Sequence, residues 1–322
     1  MSPRAVQRLI RPVAMAACVL GIGAAGCGPP PADPPPDLTT SDAQQVLAVS
    51  FVDNFMRAVP ITAIPAGSIT EDDAYRIADL YVTALMPHYG HVAGYKVGTF
   101  TAGEYDHGPV DGLSGPVTAV MLSGGMLASG AHVSVNCCNM SFVEADFAAE
   151  VGSDAINDAA TDLEILAALR GMRPFIEMPD LLQPAAGRSN VGGIATNYDF
   201  RHGIVGDLIP VEATEAWIAR LNAFRYQLTN DADELLGEGA IKDAYEPLKR
   251  VRALRDRLLE RGRRLKAGDI LSLGNMGTIR PLKANQYMTG QPLFRGTIAT
   301  LTYLELDPGG PASVSVHIDR DR

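Results

Sequence analysis

Cysteine and tryptophan are scarce in this chain of 322 residues, which holds four Cys and one Trp, and aromatic residues make up only 6%. Cys18 and Cys27 lie in the N-terminal segment discussed below, leaving the adjacent pair Cys137 and Cys138. Neighbouring cysteines pair only under strain, so no disulfide framework is expected. Positive charge is short as well: the formal net charge is −10 at pH 7, which argues against nucleic acid as a partner. Beyond the N-terminal segment no run is long and apolar enough to cross a membrane as a helix. No Ser sits in a G-x-S-x-G elbow, and the Gly-Gly pairs at 124–125 and 192–193 begin no phosphate-binding fingerprint. The six His are scattered, and His88 and His91 have no third ligand at metal spacing.

What is present begins with a three-part N-terminus: Arg4, Arg8 and Arg11, an apolar run from Val13 to Ala25, then small residues. This is the layout of a secretory signal over 1–26, with an apolar run too short to span a bilayer. Ala24-Ala25-Gly26-Cys27 resembles the lipobox of bacterial lipoproteins, although the usual Leu is replaced by Ala24. Cys27 is therefore the expected lipidation site, and the chain is expected to be exported and anchored by lipid to the bacterial membrane, facing away from the cytoplasm. Loss of residues 1–26, with three Arg and no acid, moves the formal charge from −10 to −13. Residues 27–40 are Pro-rich and read as an extended tether. Hydrophobic residues make up 47% of the chain, and no second linker is evident, so 41–322 is expected to be one domain.

Val46, Val49, Val52 and Phe55 or Met56 predict a helix over 41–58 with those residues beneath it. Thr70 to Asp73 has capping-box spacing and opens a second helix, which Pro87 is expected to stop near Met86. From Gly94 the texture turns to short β-type runs: GYKVGTF, VTAVML and AHVSVN. Ser141–Val151 alternates strictly and predicts a half-buried strand, with Phe142, Glu144, Asp146, Ala148 and Glu150 on its polar face. A helix is expected over Asp154–Arg170, strands over Arg173–Met178, 203–210, 221–228, 268–274 and 296–306, and a helix over 247–262. Residues 249–266 carry nine Lys or Arg against Asp256 and Glu260 and read as a solvated basic face, with contact to anionic lipid as the alternative. The mixture predicts an α+β fold, a largely β core with an N-terminal helical segment, and no internal repeat.

Residues two apart on a strand share a face, so Glu144 and Asp146 set two carboxylates side by side, and Glu177 on the following strand can bring a third. Such a group repels itself unless a cation or proton lies within it. With no His or Cys pattern nearby, a hard cation such as Mg²⁺ is the match. Solvent-facing acids are the bland reading of the same spacing.

Six short motifs occur in order: Ala74-Tyr75, Gly94-Tyr95-Lys96-Val97-Gly98, Val143-Glu144-Ala145-Asp146-Phe147, Pro174-Phe175-Ile176-Glu177, Ala195-Thr196-Asn197 and Ala267-Gly268-Asp269-Ile270-Leu271. Together they resemble the fumarylacetoacetate hydrolase superfamily, most closely its 2-keto-4-pentenoate hydratase and 2-oxo-hexenedioate decarboxylase group, over about residues 70–307. The resemblance implies a mixed β-roll and Mg²⁺ or Mn²⁺ held by Glu144, Asp146 and Glu177. It places Lys96 in the active site as a proton-transfer or anchoring residue, with Asn197 and Gly274 at the substrate. It implies a lyase of the hydratase type that adds water to a small 2-oxo-enoate through a metal-stabilised enolate, with homodimers common. Decarboxylation of an oxo-diacid and hydrolysis of an acylpyruvate share that enolate. The hydrolase branch's G-x-N-Y-x-x-H-type signature is absent, which favours the hydratase and decarboxylase branch. Phe142, Tyr198-Asp199-Phe200-Arg201 and Leu273 depart from the family pattern near the expected pocket, and export is unusual for it. A lipoprotein that binds a small molecule without transforming it is the rival reading.

Overall fold

The computed structural model describes residues 38–98, 113–241, 246–285, 287–288 and 290–320. The expected signal over 1–26, Cys27 and the tether up to residue 37 lie outside them. Asp37–Arg322 makes one compact unit.

Helix α1, Ser41–Arg57, starts where the Thr40 hydroxyl accepts from Ala43 N, and ends at Ala58 in the left-handed region. Its buried face is Gln44, Ala48, Phe51 and Phe55, while Val46, Val49 and Met56 are exposed, which corrects the stripe read from the sequence except at Phe55 and the partly buried Val52. Two sets of residues have helical spacing here, and the one carrying two phenylalanine rings buries more apolar area. Those rings meet Tyr81 and Tyr89 of α2, Glu71–Tyr89, edge to face at 5.1 to 6.3 Å. The capping box that opens α2 is complete, with Asp73 N donating to Thr70 Oγ1 at 3.1 Å and Thr70 N to Asp73 Oδ2 at 3.2 Å. Pro87 does not end α2, which runs to Tyr89. In the last turn proline forfeits a single intrahelical bond, and Tyr89 is anchored by its hydroxyl on Arg201 O at 3.0 Å.

The first sheet runs in the order β2 (Val117–Leu122), β1 (Val92–Gly98), β11 (Ile270–Ser272), β5 (Phe142–Val151), β6 (Leu169–Met178), β7 (His202–Val205) and β3 (Met126–Ala128). Short β12 (Ile279–Pro281) also pairs with β5, and β8 (Ile209–Pro210) with β6. The β1–β11 and β3–β7 pairs are parallel and the other pairs antiparallel. The second sheet, all antiparallel except for its β14–β4 edge, orders β10 (Leu235–Ala240), β9 (Arg225–Asn230), β13 (Ile298–Leu304), β14 (Ala312–Asp319) and β4 (Ala131–Ser134). Phe147 of β5 packs on Phe224 and Tyr303 at 5.1 and 5.6 Å, joining the two sheets.

β5 is buried along both faces rather than half-buried as expected. It is an interior strand, and its polar side chains have partners: Glu150 accepts from Arg170 at 2.6 Å and from Arg173 at 2.7 Å. The helix expected over Asp154–Arg170 is divided. A 3₁₀ turn covers Asp154–Asp158, and α3, Asp162–Ala168, restarts at a second capping box of Thr161 and Glu164. Leu169 and Arg170 already belong to β6. Short helices α4 (Asn190–Ala195) and α5 (Glu215–Leu221), the latter reaching the start of an expected strand, complete the elements before α6, Pro247–Glu260.

α6 and the turn after it are not a solvated basic face. Arg250 and Arg255 are buried, and distant acids meet the cations: Arg252 on Asp162 at 2.7 Å, Arg257 on Glu71, Arg263 on Asp79 at 2.5 Å and Arg264 on Asp158 at 3.1 Å. The local excess of charge is answered by residues that lie at least 90 positions away. Cys137 and Cys138, expected to stay apart, form a disulfide. Tertiary contacts hold their loop: Arg201 donates to Cys137 O at 2.7 Å and Asn139 to Leu181 O at 2.6 Å. No helix among the described residues is long and apolar enough to cross a membrane.

Candidate metal centre

β5 and β6 pair antiparallel with Glu144 opposite Glu177, and facing residues project to the same side. Asp146, two along from Glu144, shares that side. One carboxylate oxygen from each of the three lies within 4.8 Å of the others. Asp146 and Glu177 are fully buried and Glu144 is half-buried.

Neighbouring strands bring the remaining groups. Lys96 of β1 is in register with Ser272 of β11, and Ser272 in turn with Ala148 of β5. The buried ammonium of Lys96 pairs with Glu177 Oε1 and donates to Tyr198 O at 3.2 Å. Both oxygens of Asp146 accept: Oδ1 from Phe147 N at 2.5 Å and Oδ2 from Ser272 Oγ at 3.0 Å. From the second sheet the Tyr303 hydroxyl grips Asp146 O at 2.6 Å, so this position is held by both sheets.

Burial, and then the charge of Glu177, push the Glu144 and Asp146 carboxyls well above the usual carboxylate range. Burial pulls Lys96 down, but Glu177 and Glu144 outweigh it, and its pKa is raised. Three acids against one lysine leave two negative charges in excess when all are ionised. In the absence of a cation, protons must enter. A divalent ion would replace them, and a donor set made only of oxygens suits Mg²⁺ or Mn²⁺.

Glu144, Glu177 and Lys96 border a cavity of about 220 Å³ that Val97, Gly98, Tyr198, Arg250, Gly274 and Asn275 also line. Of the residues singled out in the sequence, Lys96, Glu144, Glu177 and Gly274 meet at this cavity, and Asp146 does not line it. Asn197 does not line it. Its side chain accepts from Val120 N and donates to Val120 O, both at 2.7 Å, clamping β2. The glycines flanking Lys96 make room for protein rather than ligand: a Cβ on Gly94 would strike Ile270 O and one on Gly98 the Tyr198 ring. Among the departures from the family pattern, Phe142 and Leu273 turn into the core, whereas Tyr198 enters the cavity.

Tyr198 is placed by an unusual backbone. Asn197, Tyr198 and Asp199 have φ of 55°, 47° and 59° in succession, a left-handed stretch that costs about 1 to 2 kcal/mol per non-glycine residue. It persists because its ends are anchored, Asn197 on Val120 and Asp199 on Arg188 at 3.1 Å and Thr196 at 3.1 Å. The result is a carbonyl aimed at Lys96. Tyr198, Arg250, Asn275 and Ser272 were not identified as site residues from the sequence. Only Tyr198 had a signal there, as a large residue where the family writes small ones.

No family model matches the sequence, and no curated protein matches it. Solved structures do match. 4-Oxalocrotonate decarboxylase from Pseudomonas putida G7, complexed with calcium and acetate, is 17% identical and superposes with a TM-score of 0.67, covering 87% of this chain and 98% of that one. The same enzyme complexed with magnesium and adipate gives the same values. At this identity the likeness shows the fold, which is the α+β fold of the fumarylacetoacetate hydrolase type that the sequence led to.

Proposed function

We propose that this chain, built on the fumarylacetoacetate hydrolase-type fold, is a divalent-metal-dependent enzyme for a small 2-oxo acid in which Glu144, Asp146 and Glu177 hold the ion. One observation carries the reading: three carboxylates share a space of a few ångströms, beside a cavity, with Lys96 as their only paired cation among the described residues. The decarboxylase of the same fold, solved with calcium and with magnesium, is consistent with a divalent ion here. A bound Mg²⁺ or Mn²⁺ supplies Lewis acidity at the carboxylate and 2-oxo oxygens of the substrate.

The chain's own residues orient and move protons. Ser272 and Phe147 N fix both oxygens of Asp146, so the carboxylate cannot swing. Tyr198 O and Glu177 hold the Lys96 ammonium at the cavity wall. Glu177 and Glu144 keep the Lys96 ammonium charged in spite of its burial, which suits it to anchor an anion or to give a proton. The favoured outcome is addition of water to a 2-oxo-enoate, a hydro-lyase reaction. Decarboxylation of an oxo-diacid is the second reading, favoured by the enzyme whose fold is shared. We propose in addition that the chain is exported and lipid-anchored through Cys27.

The test is direct. Purified protein with Mg²⁺ should consume 2-hydroxypenta-2,4-dienoate or a close relative, and Lys96→Ala should lower turnover by roughly a hundredfold or more while weakening oxalate binding far less. Metal-dependent oxalate binding without turnover of any 2-oxo-enoate or oxo-diacid would overturn the enzyme reading.

A further inference from the structure

A second group of metal-type side chains stands apart from the carboxylates. Cys137 and Cys138 lie in the turn after β4, and His202 is the first residue of β7. The two sulfurs and a ring nitrogen of His202 lie within 4.8 Å of one another. In the β6–β7 register His202 is opposite Met178, and Gly203 is opposite Glu177. The imidazole therefore projects from the face of the sheet that Glu177 does not use. The two groups are separate sites.

The surroundings of this second group are arranged as for a ligand set. The Tyr89 hydroxyl donates its one proton to Arg201 O at 3.0 Å, so toward His202 Nδ1, 3.2 Å away, it can only accept. That puts the ring proton on Nδ1 and leaves the lone pair on Nε2, as an outer hydrogen bond does for a metal-binding imidazole. Arg201 donates from Nη2 to Cys137 O at 2.7 Å, and a guanidinium beside the pair favours thiolate over thiol. Cys137 is only half-buried, so a small reductant can reach its sulfur. The turn is also fastened by bonds other than the disulfide: Asn139 donates to Leu181 O at 2.6 Å, and Met140 N to Asp180 Oδ1 at 3.2 Å. A bridge between neighbours closes almost no loop, so opening it frees little chain entropy and leaves the sulfurs beside His202.

We propose that Cys137, Cys138 and His202, once the disulfide is reduced, bind a soft cation, Cu(I) or Zn²⁺. Reduction by a dithiol breaks the S–S bond and delivers two electrons and two protons, and the dithiol leaves as its own disulfide. Metal binding then displaces both thiol protons, because the thiolate is the ligand. Two sulfurs and one nitrogen complete a three-coordinate Cu(I), or leave one position of a zinc tetrahedron for water. The all-oxygen cluster on the other face prefers hard ions, so the two sites select different metals.

Metal content separates the sites, because only this one responds to reduction. The purified protein, either oxidised or treated with a dithiol and freed of it under argon, is equilibrated with Zn²⁺ or Cu(I) against a chromophoric chelator. The reduced form should hold one further ion per chain. Co²⁺ in place of Zn²⁺ should give thiolate-to-metal absorption after reduction alone. Cys137→Ser/Cys138→Ser should remove the extra ion, which distinguishes these thiols from Cys18 and Cys27. Tyr89→Phe keeps the ring and should weaken that ion by roughly tenfold or more, and His202→Gln by more still. If the double variant does not fold, His202→Gln decides the matter. Equal metal content in the two redox states would overturn the proposal. So would an extra ion that survives the double replacement, or one held as tightly by His202→Gln as by wild type.

Discussion

Replacing Glu144 by Gln should stabilise the metal-free protein and remove its response to metal, two effects of opposite sign from one atom. The Glu144 carboxyl is pushed up by burial first and by Glu177 second, and no hydrogen bond to its side chain offsets this among those described. A carboxyl whose folded pKa is raised binds its proton more tightly in the folded state. Its contribution is favourable below the unfolded value and is lost as pH rises through the interval between the two. At pH 8 the metal-free wild type therefore bears that loss, and Glu144→Gln does not. On the usual unfolding entropy, the unit Asp37–Arg322 changes stability by about 0.6 kcal/mol per degree near its midpoint. Each tenfold difference in proton affinity is worth about 1.4 kcal/mol, or roughly 2 °C, and the metal-free variant should melt above wild type at pH 8. The gap should close near pH 4. Mg²⁺ at a hundred times its dissociation constant should add about 2.7 kcal/mol to the wild type, or roughly 4 to 5 °C, and much less to the variant. Differential scanning fluorimetry at both pH values, with EDTA and with Mg²⁺, reads all four quantities. A variant less stable than wild type in EDTA at pH 8, or one that gains as much from Mg²⁺, would refute the reasoning.

His202 is half-buried and its pKa falls to about 4, through desolvation first and Arg201 second. The unfolded chain takes up this proton near pH 6.5 and the folded one near 4, so wild type should lose up to about 3 kcal/mol relative to His202→Gln as pH drops across that window. Asp180, raised to about 6 by burial, acts with the opposite sign over much of the same range, so the difference between the two proteins in urea melts is the informative quantity, and no change in it would refute the assignment. Asn197→Ala strands Val120 N and O and should cost about 3 kcal/mol, with Mg²⁺ affinity retained in the folded fraction; a stable variant that no longer binds metal would return Asn197 to the site. Cys27 should take up labelled fatty acid in cells and hold the protein with membranes, and a Cys27→Ala variant that fractionates identically would end the lipid-anchor proposal.

Local sequence was enough wherever the cause is local. Thr70 and Asp73 meet because three residues of helix bring them together, and the strict alternation of β5 puts Glu144 beside Asp146 whatever surrounds them. Motif order did the rest for the fold, since six short matches in register imply the path of the chain between them. Periodicity alone was not decisive even for α1, where two stripes had the right spacing and only the position of α2 chose between Val46, Val49 and Met56 and the Phe51–Phe55 face.

Pairings between distant segments were decided by tertiary structure. That Glu177 stands opposite Glu144 rather than one residue away is a matter of strand register, and a slip of one would turn its carboxylate to the other face. The basic run of 249–266 looked solvated because Asp79, Asp158 and Asp162 are invisible in a local window. Asn197 read as a ligand-facing residue, yet three left-handed residues in succession turn its amide onto β2 and present Tyr198 instead. Arg250 shows the difference most plainly: in sequence it is one of nine cations in a run, and only the packing of α6 against the loop at Gly274 makes it a wall of the cavity. The sequence determined which residues lie on a common face of each element, because that depends on backbone geometry over a few residues. Which faces met, and so which charges were buried together, depended on contacts between residues far apart in sequence, 126 positions for Ser272 on Asp146 and 186 for Arg257 on Glu71, and no local pattern encodes those.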